Sequence, residues 1–146
     1  MSSRRSVAAS RCGRSRRPPD GLVRKILVSD AREGPGEQLG VQLPDAAANR
    51  AVLLKLGVPP EAIGSCGDNL RNTHDEAVAL HDWATQHDIR RIIAPTEIFA
   101  ARRSRWMLHH VFGEDATVLV PALDPPEYRE DDWWQDEAGV ISFQKY

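Results

Sequence analysis

The side chains best suited to chemistry fall into three short clusters. Ser29-Asp30 closes an apolar run, Asn72-Thr73-His74-Asp75-Glu76 opens an amphipathic stretch, and Thr96-Glu97 stands shortly before Arg102-Arg103. Asp30 and Glu76 are carboxylates of the type that exchange a proton with a bound substrate. The guanidinium forks of Arg102 and Arg103 match the oxygens of phosphate or carboxylate. Together these residues predict a pocket for an anionic small molecule, held by Ser29, Asn72, Thr73, Thr96, Glu97, Arg102 and Arg103, with Asp30 or Glu76 handling a proton. Plainer roles compete. Thr73 and Glu76 also fit the S/T-x-x-E capping box, and Asp30 could brace its own loop. Neighbours on a helix diverge by about 100°, so at least one of Arg102, Arg103 and Arg105 must face solvent.

The histidines invite a metal reading. His74-Asp75, His81-Asp82 and His87-Asp88 form a repeating pattern, yet no two of those histidines are four residues apart. A helical ligand pair of the HExxH kind therefore does not exist, and no metal site is expected. Walker, GxGxxG and GxSxG motifs are also missing from the sequence. Kinase-type, dinucleotide-dependent and serine-hydrolase readings lose their usual support, and the cofactor stays unassigned.

The elements that must position these clusters alternate between strand and helix. Lys25-Ile26-Leu27-Val28-Ser29 reads as a buried parallel strand. A glycine-rich loop from Gly34 to Gly40 leads to a helix with Asp45 as its N-cap and Ala47, Ala51 and Leu54 on one apolar face. Gly57 and Pro59-Pro60 end it. Ile63 to Cys66 forms a short second strand. Thr73 then opens a helix whose apolar face is Ala77, Leu80 and Ala84. Arg91-Ile92-Ile93-Ala94-Pro95 is a further strand. A helix from Glu97 to Phe112 carries Ala100, Ser104, Met107 and Val111 on its small, apolar side. Thr117 to Val120 is another strand, and a last helix contains Trp133, Trp134, Ala138 and Ile141, with the tryptophans as docking anchors. This order predicts βαβ units and a mainly parallel α/β sheet. Ligands of such sheets bind beyond the carboxyl ends of the strands, the edge that holds all three clusters.

Composition sets the outer bounds. Across 146 residues, 41% hydrophobic and 27% charged side chains describe one globular domain. No signal peptide or apolar span is present, so the chain is expected in the cytoplasm with no membrane-spanning segment. Cys12 and Cys66 form no CxxC pair. The net charge of −2 conceals an asymmetry: residues 1–25 carry eight basic side chains against one acid, and the remainder eleven against twenty. Residues 1–21, rich in Arg and Ser, read as a disordered leader. A nucleic-acid-binding arm, an organelle transit peptide and a stretch without function compete for it. The acidic body opposes the arm, and no nucleic-acid partner is expected.

Three segments also carry a resemblance. Leu56-Gly57-Val58-Pro59, Asn72-Thr73-His74-Asp75-Glu76-Ala77, and Pro95-Thr96-Glu97-Ile98-Phe99-Ala100-Ala101-Arg102-Arg103 resemble, in order, the motifs of the YdcF, SanA and ElyC-like family of bacterial domains of unknown function. The resemblance covers about residues 22–146. It implies a Rossmann-like three-layer α/β sandwich, a link to cell-envelope processes, and binding of a nucleotide-like molecule or adenosyl-methionine. By the same resemblance Asn72, Thr73 and Glu76 match the helix-start motif, and Thr96 and Arg103 the strand-to-helix turn. The family's turn histidine falls on Ala100, and its Ser-Gly-Gly reads Ser29-Asp30-Ala31. The family's first strand has no counterpart ahead of Lys25, so the domain reads as N-terminally incomplete, a fragment or an inactive copy.

Overall fold

The computed structural model describes residues 6–9, by their backbone, and residues 23–145. The main sheet contains β1 (Ser6–Ala9), β2 (Lys25–Ala31), β3 (Ile63–Leu70), β4 (Arg91–Ile93) and β6 (Thr117–Leu119), while β5 (Thr96–Glu97) pairs with β7 (Ala122–Leu123). Every pairing is parallel. The order β3-β2-β1-β4-β6 reverses direction between β1 and β4. Among the described residues the α-helices are α1 (Pro35–Gln38), α2 (Asp45–Lys55), α3 (Thr73–Gln86), α4 (Ile98–Phe112) and α5 (Glu137–Lys145). The chain is thus a mixed α/β protein on a parallel sheet, as the alternating pattern predicts.

β1 is the main correction. The sequence reading places residues 1–21 in a leader and leaves the sheet without its first strand. Ser6–Ala9 instead occupies the centre of the sheet, with Val7 opposite both Lys25 and Ile92. Ser-Val-Ala-Ala is only four residues long and has one β-branched side chain, so nothing marks it as a strand among the surrounding Arg and Ser. The rest of the expected leader lies outside the described residues.

Strand alternation divides the core. Leu27 points to one side of the sheet, where it packs with Ile92, Val118, and the buried Leu80, Leu108 and Phe112 of α3 and α4. Ile26 and Val28 point to the other side, where they meet Ile63 and Leu53 of α2. The expected face of α3 is the buried one, with Ala77 and Ala84 each 2% exposed. For α2 the expectation fails: Leu53 and Ala46 face the sheet, while Ala47, Ala51 and Leu54 face outward. Alanine tolerates either environment, so the i, i+4, i+7 spacing chose a face about 120° from the buried one. α4 buries Ala100, Ala101, Leu108 and Phe112, and leaves Ser104, Met107 and Val111 half-buried.

The loops hold local surprises with simple causes. The glycine-rich stretch closes into the single turn α1, because the Glu37 carboxylate accepts from Gly34 N–H at 2.6 Å and Asp45 N–H at 2.9 Å. Asp45 is accordingly the first helical residue and Pro44 the cap. At the chain's end, Trp133 stacks on Phe143 with ring centroids 4.6 Å apart, and Phe99 of α4 meets Trp133 edge-on at 5.1 Å. Trp133 is thus an anchor for the last helix as expected, but both tryptophans stand in the 3-10 turn Trp133–Gln135 that precedes α5 and not within the helix, which holds only Ala138 and Ile141 of the expected set. Trp134 is 58% exposed.

His81 fastens α3 to the turn after α4. Its Nε2 lies 3.0 Å from Asp115 Oδ2, its Nδ1 lies 3.5 Å from Asp82 Oδ1, and its ring meets Phe112 edge-on at 5.1 Å. The hydrogen bond to Asp115 holds its pKa above the ordinary 6.5, against a smaller opposing effect of burial. Stability from this contact is fully present below the ordinary imidazole value and is lost as pH rises through the folded-state value. Asp115→Asn is expected to lower the His81 titration midpoint, followed by the ring C–H chemical shift. An unchanged midpoint would show that Asp115 does not hold the proton.

Candidate functional site

A cleft opens at the carboxyl end of the sheet, between the ends of β2 and β3, the first turns of α3, the β4–β5 turn and the middle of α4. It encloses about 80 Å³. Ser29, Thr73, Glu76, Thr96 and Ser104 supply its polar groups, above a floor that includes Leu27, Cys66, Leu80 and Leu108. That volume suits one phosphoryl-sized or small ring group, well below the ~300 Å³ at which pockets begin to enclose a whole drug-sized ligand.

Local geometry explains which candidates meet. Ser29 stands two residues after Leu27 and points to the same side of β2, opposite Cys66 in the parallel register. Thr73, Glu76, Ala77 and Leu80 occupy one face of α3 at i, i+3, i+4 and i+7. The helix cap is one residue earlier than the capping box predicts: Asn72 Oδ1 accepts from Asp75 N–H at 2.9 Å, and Arg71 N–H donates to Asp75 Oδ2 at 3.3 Å. Thr73 is therefore the first helical residue, and neither it nor Glu76 serves as the cap. Thr96 is held by its N–H donating to the Pro121 carbonyl at 3.1 Å, just beyond the Ala94-to-Leu119 bond of 2.8 Å. Ser104 reaches the cleft because it shares with Leu108 the inward side of α4.

The other candidates lie elsewhere. Asp30 alternates to the opposite side of β2 from Ser29, next to an irregularity in the β2–β3 register between Ser29 and Ala31. Asn72 is exposed and committed to its cap. Glu97 accepts a hydrogen bond from the hydroxyl of Tyr128, itself 4% exposed, and so ties the start of α4 to the C-terminal segment. Arg102 and Arg103 are exposed on α4 and do not line the cleft. Arg105 donates to the Val120 carbonyl at 3.2 Å. Cys66 and Ser104 line the cleft without having been singled out as site residues. Register with Ser29 would have found the first, and an eight-residue step from Thr96 the second.

The electrostatics of the cleft come from helix ends and hydroxyls. Among the described residues Glu76 is its one carboxylate, and no Arg, Lys or His lines it. Cys66 is 5% exposed, and burial together with the negative charge of Glu76 pushes its thiol up to about 11. A neutral thiol is a poor nucleophile near pH 7, so Cys66 acts as floor. The first turn of α3 brings backbone N–H groups and partial positive charge to the rim. Ala100 is 3% exposed within the core. Among the described residues no group of three His, Cys, Asp or Glu side chains could hold a metal ion, and no helix is long and apolar enough to cross a membrane. No family model, curated protein or solved structure matches the chain.

Proposed function

We propose that the chain is a YdcF-like domain of Rossmann-like, three-layer design, which binds a small phosphorylated or nucleotide-like molecule at the carboxyl edge of its sheet. The strand order and the apolar clusters on both sides of the sheet support the fold assignment. The observation that carries the binding assignment is the convergence of Ser29, Thr73, Glu76 and Thr96, from three separate segments, on one cleft. In this reading the hydroxyls and the first N–H groups of α3 hold one anionic or polar group. Glu76 accepts a hydrogen bond from a ligand hydroxyl or amine, and the rest of the ligand lies outside. A cell-envelope process is the setting implied by the family resemblance, and a cytoplasmic location is part of the same proposal.

A binding role without catalysis is the second reading, and two observations favour it. Among the described residues Glu76 is the one proton-transfer group of the cleft near neutral pH, because Cys66 is held neutral and a core alanine stands where the family places histidine.

The test is a thermal melt of the chain against phosphate, pyrophosphate, nucleoside diphosphates, nucleotide sugars and adenosyl-methionine. A ligand at 100 times its dissociation constant adds about 2.7 kcal/mol of stability. One ligand class is expected to raise the melting temperature of the parent by several degrees, and Thr73→Val with Thr96→Val to abolish the rise. A cooperative melt that none of them shifts would overturn the binding assignment. A rate measured with the stabilising ligand that falls in Glu76→Gln would favour an enzyme, and its absence the binding role.

A further inference from the structure

Thr96 enters the cleft from a very short element. β5 and β7 contribute two residues each, in the register Thr96–Ala122 and Glu97–Leu123, and both residues of β7 are exposed. Small two-stranded ladders are marginal in water, so the place of Thr96 needs a further support. Consecutive strand residues point to opposite sides. Thr96 therefore lines the cleft, while Glu97 turns toward the C-terminal segment.

Tyr128 supplies that support from the side away from the cleft. Among the described residues 121–136 it is the one buried side chain, at 4% exposed. Its hydroxyl donates to the Glu97 carboxylate, and its ring stacks with Phe99 in the first turn of α4, centroids 5.8 Å apart. Tyr128 thus grips both ends of the step from β5 into α4. A phenylalanine would fill the same space beside Phe99, whereas a buried hydroxyl destabilises unless it is bonded. Glu97 accounts for the tyrosine oxygen.

We infer that Tyr128 is a positioning residue of the cleft, holding the Thr96 hydroxyl in place through Glu97 without touching the ligand. The inference rests on the cleft being the binding site. Groups that bind must be held within about 0.5 Å of their working geometry. Glu97 is the next residue along the chain, so a loosened Glu97 displaces Thr96 directly. Residues 121–136 supply nothing to the cleft lining, yet through this one contact they decide how well it binds.

The test compares the full chain with Tyr128→Phe and Glu97→Ala, singly and together, with far-UV circular dichroism to confirm folding. Without ligand, amide hydrogen exchange should be about tenfold faster or more at Thr96 in Tyr128→Phe, and unchanged in β2 and α3. Binding is then measured with pyrophosphate and with adenosine diphosphate. Each single variant should raise the parent's dissociation constant about tenfold, near the worth of one hydrogen bond. The double variant should lose no more, because both changes remove the same contact. Unchanged exchange at Thr96 would overturn the inference whatever the ligand does. Faster exchange with parental affinity, or losses that add in the double variant, would overturn it equally and leave Tyr128 a structural tie. A parent that binds neither compound is a failure of the binding assignment, and the exchange at Thr96 still decides whether Tyr128 holds that residue.

Discussion

Phe112→Ala is expected to lower the unfolding free energy by about 3–5 kcal/mol. Phe112 is 1% exposed and is one of the largest fully buried side chains, with Leu27 and Ile92. It closes the last turn of α4 against Val118 of β6 and Leu80 of α3, and supports the ring of His81. Removing it takes away packing that joins a strand and two helices, and leaves a cavity among them. At about 3 °C per kcal/mol for a chain of this size, the melting temperature should fall by about 9–15 °C. Urea unfolding monitored by dichroism checks the figure. A loss below about 1 kcal/mol would mean that the α3–α4 side of the sheet is not the dominant core.

Gly139→Ala is expected to undock the C-terminal helix. A Cβ at this position would stand 2.1 Å from the Trp133 carbonyl oxygen and 2.8 Å from its carbon, both backbone atoms that no rotamer change can move. Either the turn Trp133–Gln135 or α5 must shift, and the Trp133–Phe143 stack is the contact that opens. Overpacking of this kind costs about 1–3 kcal/mol. The expected signs are a red-shifted tryptophan emission and faster proteolysis within residues 137–145, while the main melting transition stays cooperative. Unchanged emission and protection would show that α5 does not depend on this close approach.

The fold was legible where periodicity and punctuation agreed. α3 shows this best: a polar start, Ala77, Leu80 and Ala84 at helical spacing, and burial of those same residues. Its cap shifted from Thr73 to Asn72 because two good capping residues stand side by side and sequence cannot choose between them. α2 was misread for the reason that alanine fits both water and core. β1 was invisible because a four-residue central strand takes its place from its neighbours rather than from its own propensity.

The cleft was legible in the same uneven way. Ser29, Thr73, Glu76 and Thr96 follow from the rule that ligands sit at the carboxyl ends of parallel strands. Asp30 did not join them because consecutive strand residues point to opposite sides. Glu97 did not because Tyr128, 31 residues away in sequence, claims its carboxylate, a pairing that no local pattern announces. Arg103 stands on the helix position next to Ser104, and that step of about 100° separates the cleft from solvent.

The most direct measurement on the central assignment is an amide ¹H–¹⁵N spectrum of the chain titrated with pyrophosphate and with a nucleoside diphosphate. Ligand binding in the cleft should give saturable shifts that move together at Ser29, Thr73 to Glu76, Thr96 and Ser104, with Asp30 and the exposed turns of α4 scarcely affected. Shifts confined to Arg102 and Arg103, or no saturable shift with either compound, would contradict it.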